Sequence, residues 1–211
     1  MAISSSGAPF QRGKTFYGGR TIDTANYEGV QLEGQTVVFA SMQAPDGSPV
    51  QPQYDGSDVK AVIVRNTSGI TLLPKMLVAF ASGSSKRVDG YTSTTAGKVA
   101  GVVDPRLPST GVVNGDLFYV IVEDDNCLVK YTATAANSVA SVGDILYAET
   151  AASSVVSTTA GRAQPFISPF TATQTTDGTA LRVSVNEIGR AKSAKTTADT
   201  NTDMLVRLRI K

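Results

Sequence analysis

A short phrase, a tight turn running into a strand of large side chains, recurs in this chain and commits those stretches to β structure. It reads Val-Asn-Gly-Asp-Leu-Phe-Tyr-Val-Ile at Val113–Ile121 and Ser-Val-Gly-Asp-Ile-Leu-Tyr-Ala-Glu at Ser141–Glu149. A degenerate copy, Leu-Leu-Pro-Lys-Met-Leu-Val-Ala-Phe, occupies Leu72–Phe80. Glycine supplies the positive φ that tight turns demand. The β-branched and aromatic residues that follow suit a pleated surface packed on its neighbours. Gly115, Asp116, Gly143 and Asp144 are therefore read as structural turn residues, and the two aspartates as turn formers rather than catalytic acids.

The same strand pattern extends well beyond the repeats. Thr36–Met42, Val59–Asn66, Met76–Ala81, Lys98–Asp104, Asp116–Glu123 and Asp144–Glu149 are short and bounded by Gly, Pro, Asn or Asp, as strands are. In Val59–Asn66 one face carries Val59, Ala61, Ile63 and Arg65, and the other Lys60, Val62, Val64 and Asn66. A strand apolar on both faces calls for a closed barrel, a covered sandwich or a subunit interface. Leu117–Val122 reads the same way. Glu123-Asp124-Asp125-Asn126 interrupts two apolar runs and is expected to be a hairpin turn leading into Cys127–Tyr131. Its carboxylates lack the spacing of a calcium loop. Met204, Val206, Leu208 and Ile210 alternate with Arg207, Arg209 and Lys211, which predicts a half-buried closing strand with its basic face turned to solvent or to an acidic partner.

The N-terminal segment, Met1–Gln35, breaks the pattern. It is rich in Gly and Ser and mixes Arg12, Lys14 and Arg20 with Phe10, Phe16, Tyr17 and Tyr27, without clean periodicity. Such a stretch builds no core of its own, and its aromatics are costly to leave in water. It is expected to be an extended arm, lying either on its own domain or on a neighbouring subunit, with these seven residues as partner-binding candidates. Runs of Thr, Ser and Ala at Thr132–Ala140, Thr150–Ala160, Thr171–Ala180 and Ser193–Thr202 read as loops, the first with room for one short helix. Ser-Thr-Thr-Ala-Gly precedes an apolar segment at both Ser93 and Ser157. With the Gly-Asp phrase, this echo suggests two related β units, about 59–132 and 133–211, within a β domain spanning 36–211.

Composition and motif tests point away from chemistry. At 211 residues the chain can bury roughly 70% of its unfolded surface without a metal or disulfide staple. Its net charge of +1 gives no general pull toward nucleic acid or anionic membrane. The single cysteine, Cys127, cannot form an intrachain disulfide and reads as a small strand residue. No apolar h-region or 18-residue apolar run marks a secretory signal or membrane span, so synthesis in a cytoplasm is expected. Histidine is absent, and with it the commonest general base and metal ligand. Ser57-Asp58-Val59-Lys60 matches a Ser-x-x-Lys dyad, but in a strand positions three apart face opposite ways. Gly7–Thr15 resembles a phosphate loop with five residues between its glycines instead of four, and no strand precedes it. No catalytic residue, cofactor or metal site is expected.

With those residues in hand, Val59–Lys130 resembles the small β domain of capsid cement, or decoration, proteins of tailed bacteriophages. The likeness rests on Val-Lys-Ala-Val-Ile-Val-Arg-Asn, Lys-Val-Ala-Gly-Val-Val-Asp and Val-Asn-Gly-Asp-Leu-Phe-Tyr-Val. It implies an all-β fold, a compact β-barrel or β-sandwich (β-tulip-like), from whose minimal pattern the extended N-terminal arm and the long Thr/Ser/Ala-rich loops of this chain depart. It also implies a non-enzymatic virion protein on the outer capsid surface. There it would hold major capsid protein subunits together against internal DNA pressure, as a homo-oligomer, trimer before dimer, without nucleic-acid or membrane partners. A head-fibre base or minor tail protein is the alternative virion part. A β-barrel carbohydrate- or ligand-binding module is the alternative from a different class.

Overall fold

The computed structural model describes residues 32–39, 58–91, 99–132, 140–148, 163–165, 187–196 and 199–210. The described residues form ten strands and no helix: β1 (Thr36–Phe39), β2 (Val59–Asn66), β3 (Leu77–Phe80), β4 (Arg87–Tyr91), β5 (Val99–Val103), β6 (Leu117–Thr132), β7 (Ile145–Ala148), β8 (Ala163–Pro165), β9 (Glu187–Ala191) and β10 (Thr200–Arg209). The fold is all-β, as the sequence predicts.

The strands close two rings that share one member. β2 pairs β4, β4 pairs β3, β3 pairs β5, β5 pairs β6, and β6 returns to β2. The second ring runs β6–β10–β9–β7–β8 and closes through Tyr131↔Ala163. Closure gives each ring strand a neighbour on both sides and so removes open edges. Only β2–β4 and β6–β8 run parallel. β1 lies outside the rings, antiparallel to β2.

β6 serves both rings by its length, Leu117–Glu123 pairing with β2 and β5 and Glu123–Thr132 with β10 and β8, and both of its faces are apolar at its start. Phe118 and Val120 join Val64, Val78, Val88, Ala100 and Val103 in the core of the first ring. Leu72, Leu107 and Val112 pack into the same core from connecting segments. Leu117, Tyr119 and Ile121 face the other way, into a larger core. Farther along β6 the same face supplies Cys127, Val129 and Tyr131, which meet Leu146, Ile188, Met204, Val206 and Leu208 of the second ring. The side of β6 that is outside one ring thus faces the core of the other. Phe39 of β1 covers Tyr119 edge-on, with ring centroids 5.0 Å apart and planes at 88°. Such T-shaped pairs are favoured by the ring quadrupoles.

Two expectations need correction. Glu123–Asn126 is not a hairpin turn; it lies within β6, which continues unbroken from Leu117 to Thr132. What makes an acidic run acceptable there is β10. Arg209 reaches Asp125 at 2.7 Å and Glu123 at 3.3 Å, and Arg207 reaches Asp125 at 3.5 Å. Asp124 accepts the Asn126 N–H at 2.8 Å, and Lys192 donates to the Asn126 carbonyl oxygen. The basic face of the closing strand therefore finds an acidic partner within its own chain. The other correction concerns Ser193–Thr202, read as a loop: β10 begins at Thr200, and Lys195 forms a bridge to Ala140.

Candidate functional site

Among the described residues the turn-and-strand phrase is present four times, once more than the sequence revealed. In each copy the N–H of the third turn residue donates to a carbonyl on a neighbouring strand, and that same neighbour's N–H donates back to the fourth. The pairs are Gly34–Gln35 with Ile63 (2.7 and 2.9 Å), Lys75–Met76 with Val103 (3.0 and 2.8 Å), Gly115–Asp116 with Asn66 (2.8 and 2.9 Å) and Gly143–Asp144 with Ala191 (2.8 and 2.9 Å). The third residue has positive φ throughout: 88°, 68°, 93° and 96°. That is the geometry of a type II turn, which favours glycine at this position. The added copy, Leu32–Gln35 leading into β1, falls in the stretch that the sequence groups with the arm.

Lys75 is the exception, the one non-glycine with positive φ among the described residues. Pro74 pre-sets the preceding φ, and the Lys75 side chain has a counter-ion. Its Nζ pairs with Asp203 of β10, whose other oxygen lies 2.6 Å from Lys130 Nζ. Lys130 also donates its backbone N–H to the Lys75 carbonyl at 2.8 Å. Burial works against the charge on Asp203, but the hydrogen bonds from Lys130 and Lys75 prevail and hold its carboxyl below the usual range. This cluster ties a turn of the first ring to the strands of the second.

The expected turn residues sit where the sequence places them, in unlike surroundings. The Asp144 carboxylate accepts the Ser141 N–H at 2.7 Å, closing its own turn. Asp116 is buried, its Oδ1 has no hydrogen-bond partner, and burial raises its pKa. Beside it Asn66, fully buried, donates to the carbonyls of Ile70 (2.8 Å) and Val112 (3.0 Å) and accepts from the N–H (3.0 Å) and hydroxyl (2.6 Å) of Ser68. It organises the whole 66–72 connection.

An arginine accompanies the Gly-Asp turn in both rings. Arg65, one residue before Asn66, donates through Nη1 to the Gly115 carbonyl at 3.0 Å. Arg190, one residue before Ala191, donates through Nη1 to the Gly143 carbonyl at 3.1 Å. Each also has a second arginine across the strand on its other side: Arg65 is paired with Arg87, and Arg190 with Arg207. In the first ring Glu33 spans the pair. Its Oε2 accepts from Arg65 Nε at 3.3 Å, with Nη2 also at 3.3 Å, and its Oε1 accepts from Arg87 Nε at 3.1 Å. Directly opposed like charges destabilise a sheet, and one carboxylate shared between them reverses the sign. This clamp fixes the turn that opens β1.

The arm candidates Phe10, Arg12, Lys14, Phe16, Tyr17, Arg20 and Tyr27 lie outside the described residues, as do Ser57 of the dyad and the phosphate-loop near miss. Sequence reasoning passed over Glu33, Arg65, Arg87 and Arg190 as interaction residues, for isolated charges give no local signal, and it read Arg207 only as part of the basic face of the closing strand. Among the described residues no group of three or more His, Cys, Asp and Glu side chains is placed to hold a metal ion. None of the described residues forms a helix long and apolar enough to cross a membrane. Comparison with protein-family models, with curated proteins and with solved structures gives no match to this chain.

Proposed function

We propose that this chain is a structural, non-enzymatic virion protein that binds the outer surface of a phage capsid and stabilises contacts between major capsid protein subunits. One observation carries the reading. The three segments behind the resemblance to cement proteins are scattered over Val59–Lys130, yet they come together on a single strand. Val59–Asn66 is β2, Val99–Val103 is β5, and Leu117–Val120 opens β6; β2 and β5 both pair antiparallel with β6. Segments that form one folded unit carry more weight than three separate likenesses would.

The anchored root at Glu33 suits the same role, since an arm can transmit load only from a fixed point. A stable contact would bury on the order of 1,200–2,000 Å², and repetition over a shell would multiply a modest affinity by avidity. A trimer is the assembly the resemblance favours. Co-sedimentation of the purified chain with empty capsids, followed by electron microscopy, tests the proposal. The chain should pellet with the shells and add density to their outer face. A chain that stays in the supernatant at every capsid concentration would refute it.

A further inference from the structure

The two rings repeat one arrangement of arginines, and only one copy is complete. In the first ring the cross-strand pair Arg65 and Arg87 is bridged by Glu33, one carboxylate oxygen to each guanidinium. In the second ring the cross-strand pair Arg190 and Arg207 occupies the corresponding place beside the Gly143 turn, and among the described residues no ion pair joins the two through one carboxylate. Arg207 does approach Asp125, but at 3.5 Å, and the same carboxylate oxygen is held at 2.7 Å by Arg209. Glu123 is likewise taken by Arg209, at 3.3 Å. Arg190 donates only to the Gly143 carbonyl oxygen, a neutral acceptor.

We propose that Arg190 and Arg207 form a carboxylate seat, filled by a Glu or Asp side chain of a partner protein in the way that Glu33 fills its counterpart. Both arginines are exposed, Arg207 with 57% of its side chain accessible, so the seat is open from outside. Adjacent strands lie about 4.8 Å apart, a separation that a two-oxygen acceptor spans, as Glu33 demonstrates. Guanidinium groups favour carboxylates because planar donors match planar acceptors. Until it is filled, the pair carries the cost of like charges set opposite each other in a sheet. The seat lies beyond the capsid reading and stands without it, because the first ring supplies the precedent.

Side-chain NMR of the full chain tests this directly. The probe is a capped Glu-Gly dipeptide, with the matching Gln-Gly dipeptide as control at equal ionic strength. The Nε–Hε signals of Arg190 and Arg207 should shift together and saturate with the glutamate probe, while Arg65, already paired, stays still. Neither signal should move with the glutamine probe, and Arg207→Gln should abolish the response at Arg190. Equal shifts with both probes, or none, would overturn the seat. So would saturation by inorganic phosphate alone, or a seat already closed by a carboxylate of the same chain. Where wild type co-sediments with capsids, Arg207→Gln should bind about 10- to 100-fold more weakly, the loss of one hydrogen-bonded charge pair. Unchanged capsid binding would show that the seat lies off that interface and overturn its role there. If wild type does not co-sediment, the capsid reading fails and the peptide titration alone decides the seat.

Discussion

Replacing Gly189 with alanine tests how tightly the second ring is drawn together. Gly189 sits in β9 at φ 144°, opposite Leu208 of β10. A Cβ built there would overlap the Arg207 carbonyl oxygen, and would lie 3.0 Å from the Arg207 carbonyl carbon and 3.2 Å from the Leu208 Cα. These are backbone atoms of a paired strand, so relief requires β9 and β10 to separate. Two terms add. Holding an L-residue at positive φ costs about 1–2 kcal/mol. Parting the strands forfeits ladder hydrogen bonds at about 0.5–1.5 kcal/mol each, of which at least two are at risk. The expected loss is therefore about 2–5 kcal/mol, a large share of the roughly 5–15 kcal/mol available to a domain. Gly115→Ala supplies the control. Its φ is 93°, but nothing lies within 4 Å of the added methyl, so only the conformational term of about 1–2 kcal/mol applies. Urea denaturation of both variants, compared at unchanged m-value, isolates the steric part. If Gly189→Ala and Gly115→Ala lose the same stability, the close crossing of β9 and β10 is not a constraint and the reasoning fails.

Three further outcomes are expected. Asp203 has a folded pKa below its unfolded value, so its pairing stabilises the fold fully above roughly pH 3.9 and fades as pH drops through the folded pKa. Asp203→Asn should therefore cost about 1 kcal/mol at neutral pH, with exposure and screening keeping it below the value for a buried pair. It should also flatten the acid limb of a stability–pH curve; an unaltered limb would remove Asp203 from the account. Asn66→Ala strips four hydrogen bonds from a fully buried position and should lose about 2–4 kcal/mol by chemical denaturation, with a loss under 1 kcal/mol counting against the hub. Deleting residues 1–31, which spares the Glu33 clamp, should leave the thermal midpoint within a few degrees while abolishing co-sedimentation with capsids. Full binding by the shortened chain would dismiss the arm.

Features governed by local spacing were legible in the sequence. Val59–Asn66 declares both buried faces by its alternation, and Gly115-Asp116 and Gly143-Asp144 declare their turns by the glycine that positive φ requires. Features governed by distant partners were hidden. Glu123–Asn126 looks like a turn because four polar residues follow one another, and only Arg207, Arg209 and Lys192 make the run a strand. β9 escaped notice because Gly189 and Arg190 break its apolar pattern; the glycine is there for the approach of β10, which no window around residue 189 contains. β4 holds Asp89 and Gly90 and was lost for a similar reason. The fourth turn went unread since Gln35 stands where the two clearest copies carry aspartate, although the backbone hydrogen bonds are the same. Of the candidate interaction residues, Glu33, Arg65, Arg87 and Arg190 became visible only when the sheet brought them together, while Arg207 already stood on the basic face of the closing strand.

The shared strand β6 has a consequence for how this molecule yields. Its first half, Leu117–Glu123, pairs with β2 and β5 and its second half, Glu123–Thr132, with β10 and β8, so one continuous backbone carries strain from each ring into the other. Unfolding should accordingly follow a single cooperative transition despite the two-ring plan. Among the described residues the two rings are coupled in series through that one strand, and a pull on either is felt by the other.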